Sequence, residues 1–150
     1  RLIGDGPARR EMTALSERLG LRNVTFEPPV TQTELAGRIA QADLCLGGHF
    51  YAGGKAGRVV PGKIYQMLAV GRPVIAADAP GNRELLTHDE TALLIPPADP
   101  DALAAAIRTL ARNPKRRNAL GATGRRLYER CCSEALITQR LHEVVNSIMA

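Results

Sequence analysis

The sequence predicts an α/β fold, a Rossmann-like parallel sheet with helices on both faces. Three observations carry that expectation. Short apolar runs alternate with segments of helical period along the whole chain. Capping and stop residues mark the helix ends. One connection, over 47–62, is far longer and richer in glycine than the about two to six residues that join a strand to a helix.

The candidate strands are 1–4, 24–27, 43–47, 73–77 and 92–96. A helix over about 8–19 stops at Gly20, where a left-handed residue costs least. The next begins at a capping box, Thr31-Gln32-Thr33-Glu34, with Val30 and Leu35 spaced for a hydrophobic staple. Pro61 suits the first turn of the following helix, and Gly71 ends it. Asp99 with Pro100 reads as an N-cap and a first-turn proline. Leu103, Ala106, Ile107 and Leu110 then fall on one helix face until Asn113-Pro114 stops the run. A last helix from about Ser133 carries Ile137, Leu141, Val144, Val145 and Ile148 as an expected buried stripe.

Composition narrows the function classes. At 150 residues the chain is the size of one domain with a single core. With 45% hydrophobic and 23% charged residues, it has enough apolar surface to exclude disorder. No apolar run approaches the roughly 20 residues of a membrane-spanning helix. The net charge of +5 favours an anionic ligand or surface. With 3% aromatics and no Trp there is little for bases to stack on, so no nucleic-acid partner is expected. Lys115-Arg116-Arg117 and Arg125-Arg126 read as a solvated basic face, with peripheral contact to a membrane surface as the minor alternative. Cys45, Cys131 and Cys132 form no disulfide framework and read as reduced thiols, which suits the cytoplasm. The chain opens on Arg1 and is expected to be an excerpt of a longer protein.

The strongest local signal is the segment 61–74. Gly62 lets an incoming group approach the backbone. The free amides of the first helical turn, with the positive end of the helix dipole, make an anion site. Lys63 adds a mobile charge suited to phosphate, and Gln66, one turn later, can serve hydroxyl groups. The residues alone fit an ordinary strand–loop–helix unit equally well. Gly4-Asp5-Gly6-Pro7 suggests a dinucleotide turn, with Glu27 placed for a ribose, which would make the protein an NAD-dependent oxidoreductase. Arg9 stands where that pattern needs its third glycine. His49, at the end of a strand, can face a ligand or simply occupy a loop. No residue set has metal-ligand spacing or the makings of a Ser-His-acid triad.

Taken together, these segments resemble the C-terminal, donor-binding half of the GT-B glycosyltransferases, in the retaining group called group 1 or family 4. The likeness runs through Leu2-Ile3-Gly4-Asp5-Gly6-Pro7, Asn23-Val24-Thr25-Phe26 and Ala42-Asp43-Leu44-Cys45-Leu46. It continues through Pro61-Gly62-Lys63-Ile64-Tyr65-Gln66, Gly71-Arg72-Pro73-Val74-Ile75-Ala76 and Thr91-Ala92-Leu93-Leu94-Ile95-Pro96-Pro97. The resemblance implies a nucleotide-diphosphate sugar, commonly of uridine or guanosine, as donor substrate with no separate cofactor. The sugar would pass to a polysaccharide, lipid or other glycan acceptor. The implied donor-binding residues are Gly4, Gly6, Val30, His49, Pro61, Gly62, Lys63, Ile64 and Gln66, with Val30 near the base. Gln66 replaces a glutamate that commonly holds the ribose, Arg58 falls where an earlier glutamate is usual, and Pro28 replaces a glycine near the base. The resemblance also implies that the acceptor-binding N-terminal domain and the first strand–helix unit of the donor half lie outside this chain. The missing strand would sit between strands 1–4 and 43–47, and the isolated fragment is expected to be inactive. A non-catalytic nucleotide-sugar module and a nucleotide-sugar epimerase are the competing readings.

Overall fold

The computed structural model describes residues 1–51 and 53–149. They divide into two compact units, Arg1–Arg38 and the chain from Ile39 onward. All five expected strands form, each shorter than its apolar run.

In the first unit, β1 (Leu2–Ile3) and β2 (Phe26–Glu27) pair in parallel, with Leu2 opposite Phe26. Helix α1 (Arg9–Arg18) connects them and stops at Gly20, whose φ of 62° is left-handed. The capping box of α2 (Gln32–Ala40) closes as its sequence requires. The Glu34 amide donates to Thr31 Oγ1 at 3.2 Å, and the Thr31 amide donates back to Glu34 Oε2 at 2.9 Å. The Thr31 hydroxyl, donating to Glu34 Oε2 at 2.7 Å, and then the Thr31 amide hold the Glu34 carboxyl below its ordinary range.

In the second unit, β3 (Cys45–Leu46), β4 (Val74–Ala77) and β5 (Leu93–Ile95) form a parallel sheet in that order. All four residues of β4 are fully buried, as a central strand covered on both faces must be. Its side chains alternate between two cores. Val74 and Ala76 pack with Ile64 and Leu68 of α3 (Gly62–Val70). Ile75 packs with Ala106 and Leu110 of α5 (Pro100–Arg112). Helix α6 (Pro114–Cys131) serves both, through Leu127 in the first core and Leu120 in the second. A short helix, α4 (Pro80–Arg83), follows β4.

The expected caps form. The Ala102 amide donates to Asp99 Oδ1 at 2.8 Å, and Gly71 closes α3 at a φ of 73°. Asn113 ends α5 and also caps α6, accepting from the Arg116 amide at 3.0 Å. Pro61 is the N-cap of α3, one position before the first turn expected for it.

Two expectations about burial are overturned. Ile107, placed on the apolar face of α5, is 37% exposed, because the stripe that packs on the sheet runs through Ala102, Leu103, Ala106 and Leu110. Helix α7 (Glu134–Met149) buries no residue at all. Its supposed core stripe is exposed from 43% at Val145 to 78% at Ile148. Periodicity marked an apolar face correctly, but a period cannot say whether anything in the same chain covers that face.

Candidate functional site

The expected site residues fall into two groups, one in each unit. Gly4, Gly6 and Val30 lie in the first unit; His49, Pro61, Gly62, Lys63, Ile64 and Gln66 lie in the second.

In the second unit, β3 delivers the chain to Gly47 and Gly48, which open the glycine-rich connection. Gly48 has a φ of 79°, and a Cβ built there would stand 3.1 Å from Lys63 Nζ. A side chain at 48 would therefore meet both backbone strain and the ammonium. His49 follows, exposed, at a φ of 55° that non-glycine residues seldom adopt. The connection next forms a 3-10 turn, Lys55–Arg58, and enters α3 through the buried Pro61.

At the start of α3, the Ile64 amide donates to the Pro61 carbonyl at 2.9 Å. The Gly62 and Lys63 amides have no acceptor among the described residues. Apart from its chain neighbours and its own helix, no atom lies within 4 Å of a Cβ built at Gly62, so the backbone there is open to close approach. No acidic side chain stands in the first turn. Two unclaimed amides, the positive helix end and the Lys63 ammonium form an arrangement that favours a negative charge. Gln66 is half-buried one turn further on. Ile64 is a different case: its side chain is fully buried in the core and its amide is spent on Pro61. It anchors the turn and has no free donor for a ligand.

Sequence reasoning missed the support behind this turn. Gly81 in α4 presses so closely on the loop that a Cβ there would lie 2.5 Å from the Val59 amide nitrogen. Asn82, also buried, donates from Nδ2 to the Ala77 carbonyl at 2.8 Å and ties α4 to the end of β4. Arg83 pairs with Asp78 through two nitrogens, which holds the Asp78 carboxyl below its ordinary range. The Pro80-Gly81 dipeptide after an apolar strand was the available signal. What it announces is a turn, and the contact with Val59 is tertiary.

Behind α3 lies an open groove of about 350 Å³, lined by Tyr65, Glu84, Cys131 and Cys132 among others. Burial raises the Tyr65 and Cys132 groups above their ordinary values, so neither is an activated nucleophile. No cluster of metal-ligating side chains occurs among the described residues.

The first unit answers the dinucleotide expectation differently. The Arg9 guanidinium donates to the Gly4 carbonyl and, at 2.6 Å, to the Glu27 carbonyl, closing the ends of both strands. Glu27 is paired with Arg1 at 3.5 Å and Arg38 at 3.4 Å. The carboxylate expected to meet a ribose is thus engaged within its own unit. Val30 is half-buried at the start of α2.

With the geometry established, relatives are informative. The family model for glycosyl transferases group 1 matches residues 1–113. The chain belongs to that family. Among its relatives is the lipopolysaccharide core biosynthesis glycosyltransferase LpsD of Rhizobium meliloti (strain 1021), 32% identical over 138 residues. That match covers 91% of this chain and 38% of LpsD. Sucrose-phosphate synthase from Thermosynechococcus elongatus superposes with a TM-score of 0.83 at 26% identity, covering 99% of this chain and 38% of the synthase. Anabaena Alr3699/HepE, solved in complex with UDP and glucose, gives 0.80 at 24% identity, covering 97% of this chain and 40% of that protein. This group 1 glycosyl transferase chain therefore has the Rossmann-like architecture of GT-B enzymes, and it spans about two fifths of the length of these relatives. No helix among its described residues is long and apolar enough to cross a membrane.

Proposed function

We propose that this chain is the donor-binding part of a retaining hexosyltransferase, taking a UDP- or GDP-linked sugar and passing it to a glycan, lipid or polysaccharide acceptor. The observation that carries the reading is the start of α3, where the Gly62 and Lys63 amides are unclaimed, Gly62 is open to close approach and the Lys63 ammonium stands over Gly48. In transfer, the bond between the anomeric carbon and the diphosphate oxygen breaks, and the electron pair leaves with the diphosphate. The acceptor oxygen forms the new bond and gives up its proton outside this chain. Fixed amides and an ammonium aimed at the departing diphosphate lower that barrier without covalent chemistry. The donor is a substrate, and no separate cofactor is invoked. An acceptor-binding domain and the first strand–helix unit of the donor half belong, on this reading, to other parts of a longer cytoplasmic polypeptide. The basic residues of α6 would allow peripheral contact with an anionic membrane.

Titrating UDP and GDP into the full polypeptide tests the reading. One nucleotide should shift the amide resonances of residues 62–66, and Lys63→Ala should weaken its binding roughly tenfold, the worth of one charge-assisted bond. Unchanged affinity in Lys63→Ala removes Lys63 from the site, and undisturbed amides with both nucleotides overturn the reading. A second reading, a nucleotide-sugar-binding module without catalysis, draws on Gln66 and Arg58, which leave this segment with no carboxylate. Sugar transfer by the full polypeptide with either class of donor would exclude it.

A further inference from the structure

From Leu44 to Ala77 the chain contains Lys55, Arg58, Lys63 and Arg72, and not one Asp or Glu. Two of these cations have assignments. Arg72 is partly buried and donates to the Ala40 carbonyl, and Lys63 stands over Gly48 at the start of α3. Arg58 closes the 3-10 turn, exposed and without an ion pair among the described residues. Its backbone is nonetheless held, since a Cβ on Gly81 would lie 2.6 Å from the Arg58 carbonyl carbon. Asp78 is engaged by Arg83, and Glu84 lines the groove with Tyr65 and Cys132. Arg58 is thus a guanidinium on a fixed base with no ion-pair partner among the described residues. It lies four positions before Gly62, a span of at most about 14 Å.

The chemistry of this set is one-sided. Arginine and lysine side chains only donate hydrogen bonds, whereas a neutral sugar's hydroxyls also need acceptors. Gln66 can serve such hydroxyls, whereas the cations of this segment suit an acceptor-only group. A guanidinium fork matches a carboxylate in particular, with two parallel bonds. Resting on the nucleotide-sugar reading above, we propose that the transferred sugar is acidic, a uronate whose carboxylate is received by Arg58 while its diphosphate lies at Gly62 and Lys63.

Calorimetry on the full polypeptide with matched donors tests this: UDP-glucose against UDP-glucuronate, and GDP-mannose against GDP-mannuronate. The readout is the ratio of the two affinities within one variant, so a general loss of binding cancels. For the base that binds, the uronate should be favoured roughly tenfold or more, and Arg58→Ala should bring the ratio close to one. Arg58→Lys, which keeps the charge and loses the fork, should fall between. A native ratio near or below one, or a ratio that Arg58→Ala leaves intact, overturns the proposal while the donor reading stands. Absence of binding by free UDP and free GDP overturns the donor reading itself, and this proposal with it.

Discussion

Two glycine-bearing turns in this molecule follow a parallel strand and lead towards a helix, and each has features of a phosphate-binding loop. At the first, after β1, the arginine of α1 folds back onto the carbonyls of Gly4 and Glu27, and the adjoining groove is lined by Asp5 and Glu17 as well as by Arg9 and Arg10. At the second, before α3, the leading amides are unspent, no carboxylate occurs from Leu44 to Ala77, and Lys63 lies beside the opening. The difference lies in where the cation's hydrogen bonds go. A guanidinium that satisfies its own strand ends stabilises the fold; an ammonium over a glycine, with no carboxylate beside it, remains available to a ligand. Glycine content alone does not separate the two.

Three substitutions probe the contrast. The largest effect is expected from Gly81→Ala, which forces a methyl group against the Arg58–Val59 backbone behind the second turn. Overpacking of this kind costs about 1–3 kcal/mol, readable as a lower denaturation midpoint, and nucleotide affinity should fall with it. Retained midpoint and affinity would mean that α4 does not support the turn. Next is Arg9→Gly, which completes the dinucleotide pattern in sequence while stripping two carbonyls of their charged donor. It should destabilise the protein by about 1–2 kcal/mol and produce no fluorescence change on titration with NADH. An NADH signal would make the two turns equivalent after all. The smallest effect belongs to Asp78→Asn, which breaks the pair with Arg83 beside the second turn. The native Asp78 carboxyl is lowered, so its stabilisation is present above the unfolded carboxylate range and is lost as pH falls through the folded value. Being largely exposed, the pair contributes little at neutral pH. Denaturation midpoints of the native protein and the Asp78→Asn variant should differ slightly at neutral pH and converge in acid.

Much of the fold was legible because its rules are local. Thr31 and Glu34 find each other three residues apart, Asp99 reaches an amide three residues on, and Gly71 needs no partner to adopt its left-handed turn. The start of α3 could be read for the same reason, since free amides at a helix N-terminus follow from helix geometry. What escaped depends on distant parts of the chain. Gly81 matters because Val59 comes against it, and Ile64 is silenced by the core beneath it. Arg9 stands in the sequence where a dinucleotide pattern needs glycine and is a clasp in the structure. Helix α7 shows the same limit from the other side, with a regular apolar period and no partner among the described elements.

That unburied helix has a thermodynamic corollary. Its sixteen residues add almost no buried surface, and an isolated helix of this length is marginal in water. In this chain by itself, the amides of α7 are therefore expected to exchange with solvent well before those of Val74–Ala77.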